Sequence, residues 1–155
     1  MEKELVDAFL KVYGEDLISL VLFGSYARGE QRKDSDIDVL VVLKEINDRY
    51  EVMKKFIKVD DILETTLYPE LRKEGFDPYV SPVIYDVNTA ARFRPLYIMV
   101  VFEARILYDR GGVMEKTFYR IRKRLEELGA KRERLGRGYV VTLTKVKPGE
   151  VVNFE

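Results

Sequence analysis

Two carboxylates set two residues apart, Asp36 and Asp38, open an apolar run of Val39, Leu40, Val41, Val42 and Leu43. Side chains two apart in a strand share a face, so this pair converges. Carboxylates that close raise each other's pKa unless a cation lies between them. Asp-x-Asp at the start of a strand is therefore a clamp for a hard divalent ion, or else a pair of solvated acids on an exposed strand end. Upstream, the apolar run Leu17–Phe23 ends at Gly24-Ser25, and ten residues separate Ser25 from Asp36. Gly24 lets the backbone approach a ligand closely. Ser25 offers a hydroxyl and an N–H at the start of an expected short helix, a position that favours anions such as phosphate. Alone, Gly-Ser is an ordinary turn. Placed after one buried strand and before Asp-x-Asp, it becomes half of a phosphate cradle with an adjoining metal clamp, the pairing that nucleoside-triphosphate chemistry requires.

Composition narrows the chemistry. The 155 residues contain no cysteine and no histidine. Disulfides, thiolate catalysis, His-ligated zinc and a Ser-His-Asp triad are thereby excluded. Any metal must be held by oxygen, which favours Mg²⁺, Mn²⁺ or Ca²⁺. The 27 basic and 27 acidic residues cancel, so global charge selects no partner. One Gln and three Asn among abundant Lys, Arg and Glu resemble a hyperthermophile's usage. The opening Met1-Glu-Lys-Glu is no signal peptide and the longest apolar runs are far short of a membrane span, so a cytoplasmic location is expected.

The elements that must position the acids follow from periodicity. Leu5, Ala8, Phe9 and Val12 predict a helix closed by Gly14. Leu17–Phe23 predicts a buried strand, residues 25–29 a turn opening a short helix, and residues 30–35 a polar surface loop. Asp36–Leu43 predicts the second strand. Val52, Phe56, Val59, Leu63 and Leu67 stripe a helix over about 47–68, and residues 79–85 predict a third strand, placed at an edge or bulge by Pro82. Leu96, Val100, Val101, Ala104 and Leu107 predict a further helix, and Phe118, Ile121, Leu125 and Leu128 another, stopped by Gly129. Gly138–Val146, a turn at Pro148-Gly149 and a short strand at Val151–Phe154 predict a hairpin packed on the core. The fold class expected is α+β: a mixed sheet flanked by helices, with residues 1–112 as core and 113–155 as a helix-plus-hairpin extension.

The stretches Leu22-Phe-Gly-Ser-Tyr-Ala-Arg-Gly29 and Asp34-Ser-Asp-Ile-Asp-Val-Leu-Val-Val42 together resemble the DNA polymerase beta nucleotidyltransferase superfamily, in its small prokaryotic minimal nucleotidyltransferase branch. The resemblance is close over residues 15–45, looser afterwards, and absent from the last 25 or so residues. It implies that Gly24 and Ser25 bind a triphosphate and that Asp36 and Asp38 hold Mg²⁺ or Mn²⁺. It implies transfer of a nucleoside monophosphate, AMP by preference, from ATP to an acceptor hydroxyl, with pyrophosphate leaving. Arg28, just past the turn, either steadies that pyrophosphate or pairs with Glu30 or Asp34. The family places a third carboxylate on the third strand, where Tyr79-Val-Ser-Pro-Val-Ile-Tyr85 has no acid. Asp77 is the choice if that strand runs parallel to the second. The alternative reading has Asp77 only begin a turn with Pro78, and Ser81 is the alternative occupant of the place. A missing third ligand would favour the rival reading, a non-catalytic nucleotide-binding or antitoxin-like module that binds a partner protein.

Residues 116–137 carry Lys116, Arg120, Arg122, Lys123, Arg124, Lys131, Arg132, Arg134 and Arg137 against Glu126, Glu127 and Glu133. Such a face is a landing surface for nucleic acid, or a solvated surface paired with acids elsewhere. The acceptor is expected to be a macromolecule supplied in trans, since the chain has no sizeable acceptor-binding domain of its own.

Overall fold

The computed structural model describes residues 1–155. At its centre lies a four-stranded sheet formed by β1 (Leu17–Phe23), β2 (Ile37–Leu43), β3 (Val80–Asp86) and β4 (Arg105–Asp109), in the order β3-β2-β1-β4. β1 runs antiparallel to both β2 and β4, and β2 runs parallel to β3. Apart from Ser19 in β1 and Asp38 in β2, the two central strands are apolar because both their faces are covered. On one face Leu20, Leu22, Val39 and Val41 pack with α1 (Glu2–Tyr13), α3 (Arg49–Thr66) and α4 (Tyr68–Lys73). On the other, Val21, Leu40 and Val42 pack with α5 (Val87–Ala90), α6 (Tyr97–Val100) and α7 (Val113–Glu127). A single short helix, α2 (Gly24–Arg28), turns the chain at the end of β1. The architecture is the α+β mixed sheet flanked by helices that the sequence predicts.

The alternation along β2 decides which way the acids face. Asp38 shares its side with Leu40 and Val42, so it opens toward α6 and α7 at the mouth of that layer. β3 forms an edge, where Pro82 costs no second ladder. Its first residue is seated by Tyr68, whose buried hydroxyl accepts from the Val80 N–H at 3.0 Å and donates to Asp60 at 2.6 Å.

Two expectations need correction. The helix expected across residues 96–107 is a single turn, α6, and residues 105–109 instead pair with β1 as a fourth strand. β1 is buried on both faces, so its free edge needs a partner, and Arg105-Ile-Leu-Tyr-Asp109 supplies it. Asp109 then accepts from the buried Ser19 hydroxyl and from the N–H groups of Met114 (3.0 Å) and Glu115 (2.9 Å), which fixes the start of α7. The hairpin is also one strand out. It joins β5 (Ala130–Leu135) to β6 (Gly138–Leu143), while Val151–Phe154 is not a strand. Lys131-Arg-Glu-Arg134 is charged at every position, so a period-two hydrophobic pattern never marks β5. The last residues return to the core edge instead, where Phe154 stacks on Phe93 at 4.1 Å. No helix is long and apolar enough to cross a membrane.

Candidate active site

β1 and β2 place Phe23 and Asp38 side by side, so the chain reverses into Gly24 directly against the Asp38 carboxylate. Gly24 has φ +74°, and a Cβ there would strike that carboxylate, lying 3.1 Å from its carbon. Glycine is required on both counts. Asp36 precedes the first residue of β2 and is exposed, whereas Asp38 is half-buried. Burial pushes the Asp38 carboxyl up to about 6, the negative charges of Asp36 and Glu103 push the same way, and Arg28 opposes them. Asp38 beside the glycine bend and Asp36 just ahead of it offer a pair of hard oxygen donors. Mg²⁺ or Mn²⁺ fits such a pair by ligand chemistry.

The third acid is where sequence and structure part. β3 is parallel to β2, and the residue opposite Asp38 is Ser81. Asp77 lies outside β3, four residues before Ser81, with its backbone N–H bonded to the Lys33 carbonyl at 2.7 Å. Its side chain is 61% exposed and faces Arg72 at 3.8 Å. No group of three or more acidic side chains converges anywhere on the molecule.

Arg28 has a partner that was not foreseen. Its guanidinium donates to Glu103 at 2.7 Å and lies 3.5 Å from Glu30. Glu103, in the turn between α6 and β4, is only 5% exposed. It accepts from the Gly24 N–H at 2.9 Å, from Arg28, and from Arg132 of β5 at 2.9 Å. A buried carboxylate is tolerable when so fully bonded. Glu103 thus pins the glycine turn, the adjacent arginine and the hairpin to one point. The only sequence signal for it was an isolated acid inside the apolar stretch 96–107. Tyr26, buried on α2, packs its ring on Phe76 at 6.3 Å and holds the turn from the opposite side.

Around this cluster the hairpin closes. Glu30 accepts from Arg134 through both oxygens at 3.2 Å and from the Tyr139 hydroxyl at 2.8 Å, and the Arg134 and Tyr139 bonds hold its carboxyl below the usual range. The Tyr139 ring carries Arg132 at 3.7 Å and Arg28 at 5.2 Å. The basic stretch is therefore not one face. Gly129 divides it between α7 and the hairpin, and the hairpin half belongs to this site.

Comparison with known proteins agrees with the geometry. The nucleotidyltransferase domain family matches residues 2–108. A provisionally named protein adenylyltransferase of Methanocaldococcus jannaschii is 30% identical over 132 residues, covering 79% of this chain and 82% of that protein. The protein adenylyltransferase MntA of Thermococcus cleftensis is 46% identical over 46 residues, covering 30% of this chain and 42% of its own length. Among solved structures, a toxin–antitoxin complex with AMP-PNP contains a chain with a TM-score of 0.51 at 20% identity, covering 83% of this chain and 92% of that one; at that identity the likeness speaks for the fold. With the glycine bend, the acid pair and the family match over more than half its length, this chain belongs to the nucleotidyltransferase domain family.

Proposed function

We propose that this protein transfers AMP from ATP to a hydroxyl group of a partner protein. The observation that carries the reading is the Asp38 carboxylate lying where a Cβ on Gly24 would stand, which supports a metal ligand directly beside a phosphate-binding turn. Asp36 and Asp38 would hold the metal, which when bound offsets charge on the attacking and leaving oxygens. Gly24 and Ser25 line the phosphate path. The acceptor oxygen forms a bond to the α-phosphorus while the bond to the β-phosphate oxygen breaks. The hydroxyl proton leaves to solvent or a base of the acceptor, and pyrophosphate departs with the electron pair. Arg28, just past the turn, would steady the departing pyrophosphate, with its charge shared by Glu103 and Glu30. A protein acceptor is supported by relatives named as protein adenylyltransferases. The named toxin–antitoxin assembly fits a stable protein partner.

A second reading rests on Ser81 standing opposite Asp38 in place of an acid. On it, the chain binds nucleotide and partner without turnover, and Asp77, exposed and facing Arg72, adds no third ligand. Incubation with α-labelled ATP, Mg²⁺ and extract from the source cells separates the two. Label on a protein band, lost with Asp36→Asn or with chelator, establishes transfer; saturable ATP binding with no labelled acceptor establishes the second reading.

A further inference from the structure

Beside the acid pair lies an open cleft of about 230 Å³ built from three segments. The glycine turn contributes Ser25 and Arg28, the following loop Arg32 and Ser35, and the hairpin Arg134 and Arg137. One carboxylate, Glu30, completes the lining against four guanidinium groups. That carboxylate is already divided between Arg28 and Arg134. Arg32 and Arg137 have no ion-pair partner at all. Guanidinium groups gathered this way repel one another unless an anion joins them, and their planar forks match phosphate oxygens.

We propose that the β5–β6 hairpin completes the nucleotide site, with Arg137 and Arg32 binding the two terminal phosphates of the triphosphate and the pyrophosphate that they become. This rests on the transfer reading above. The placement follows from the chain itself. Ser25 comes directly after Gly24, which touches Asp38, and Ser35 comes directly before Asp36. A triphosphate whose α-phosphate meets the acids therefore runs its far end into the arginines.

The hairpin is held to that position. A lone two-stranded ribbon is marginal in water. Here Ala130 and Leu143 pack at the core edge, Arg132 bonds Glu103, and Tyr139 and Arg134 bond Glu30. Those contacts leave Arg137, beside the Gly136 bend, free at the rim. The family match covers residues 2–108, so Arg28 and Arg32 lie within it and the hairpin's Arg134 and Arg137 beyond it.

The test is calorimetric titration of the full chain with Mg²⁺ plus ATP, AMP or inorganic pyrophosphate. Wild type, Arg137→Ala, Arg32→Ala/Arg137→Ala and Asp38→Asn are compared. Arg32 and Arg137 are exposed and unpaired, so their variants are expected to melt with wild type. Loss of one charge-assisted contact predicts ATP and pyrophosphate affinity about tenfold weaker in Arg137→Ala, and weaker again in the double variant, with AMP affinity unchanged. Arg137→Lys is expected to recover part of the loss. Unchanged ATP and pyrophosphate affinity in both arginine variants, with ATP binding weakened by Asp38→Asn, overturns the hairpin's role and leaves the transfer reading standing. Pyrophosphate binding that depends on Arg137, in a protein indifferent to ATP, keeps the arginine cleft as an anion site but overturns both its place in a triphosphate site and the transfer reading. No binding of either ligand to wild type overturns both.

Discussion

Arginines on either side of Gly129 end in opposite circumstances. On α7, Arg120 donates to the Ala91 carbonyl at 2.7 Å, Arg122 to Val101 at 2.6 Å and Arg124 to Asn153 at 2.9 Å. Their guanidinium groups clip the segment 91–101, α6 included, and the C-terminal segment onto the helix. On the hairpin, Arg132 and Arg134 meet carboxylates that border the glycine turn, and Arg137 meets none. Equal composition thus serves two ends. A guanidinium bonded to backbone carbonyls stabilises the fold, whereas one that shares or lacks a carboxylate beside an anion path is available to a ligand. On the helix half, three arginines already bond backbone carbonyls of neighbouring segments.

Glu103 tests this contrast most severely, because it links the hairpin to the turn. Glu103→Ala strands Arg28, Arg132 and the Gly24 N–H together. Removing one partner of a buried pair predicts a loss of about 3–5 kcal/mol, measured by urea unfolding, with nucleotide binding lost as well. A variant with wild-type stability would dissolve the link. Gly24→Ala comes next. Its positive φ and the collision with Asp38 predict about 2 kcal/mol and a fall in transfer of on the order of a hundredfold, read by label incorporation.

Asp38 supplies a smaller, pH-dependent effect. Its folded carboxyl sits near 6, above its unfolded value of 3.8. Its contribution to stability is therefore fully present below about pH 4 and lost as pH rises through about 6. Asp38→Asn should be more stable than wild type at pH 7.5 by about 1 kcal/mol, after discounting for a half-exposed group, and the gap should close by pH 4. Mg²⁺ should raise the wild-type melting temperature above pH 6 and lose that effect below it. A gap independent of pH would remove the charge repulsion from the account. At the mild end, Arg122→Ala on α7 predicts a loss of about 1–2 kcal/mol in urea unfolding and no change in ATP affinity. A change in affinity there would blur the division at Gly129.

The strands, the helical stripes and the glycine bend with its acid pair were legible because each is written in neighbouring residues. Asp36 and Asp38 follow a two-residue period, and Phe9, Val59 and Leu63 follow a helical one. β4 was hidden because Arg105–Asp109 becomes a strand only by filling the open edge of β1. β5 was hidden because its inward residue, Arg132, is charged and bonds a carboxylate instead of entering a core. The place expected for a third acid could be narrowed to Asp77 or Ser81, but only the register of β3 puts Ser81 opposite Asp38.

What the sequence determined alone was a cysteine- and histidine-free chain with two oxygen donors beside a glycine turn, because composition and short spacings are local properties. Tertiary structure decided that Glu103 grips that turn across 79 residues of chain and that the hairpin arginines reach the same cleft. Those contacts depend on how the layers stack over the sheet, and no local period encodes them.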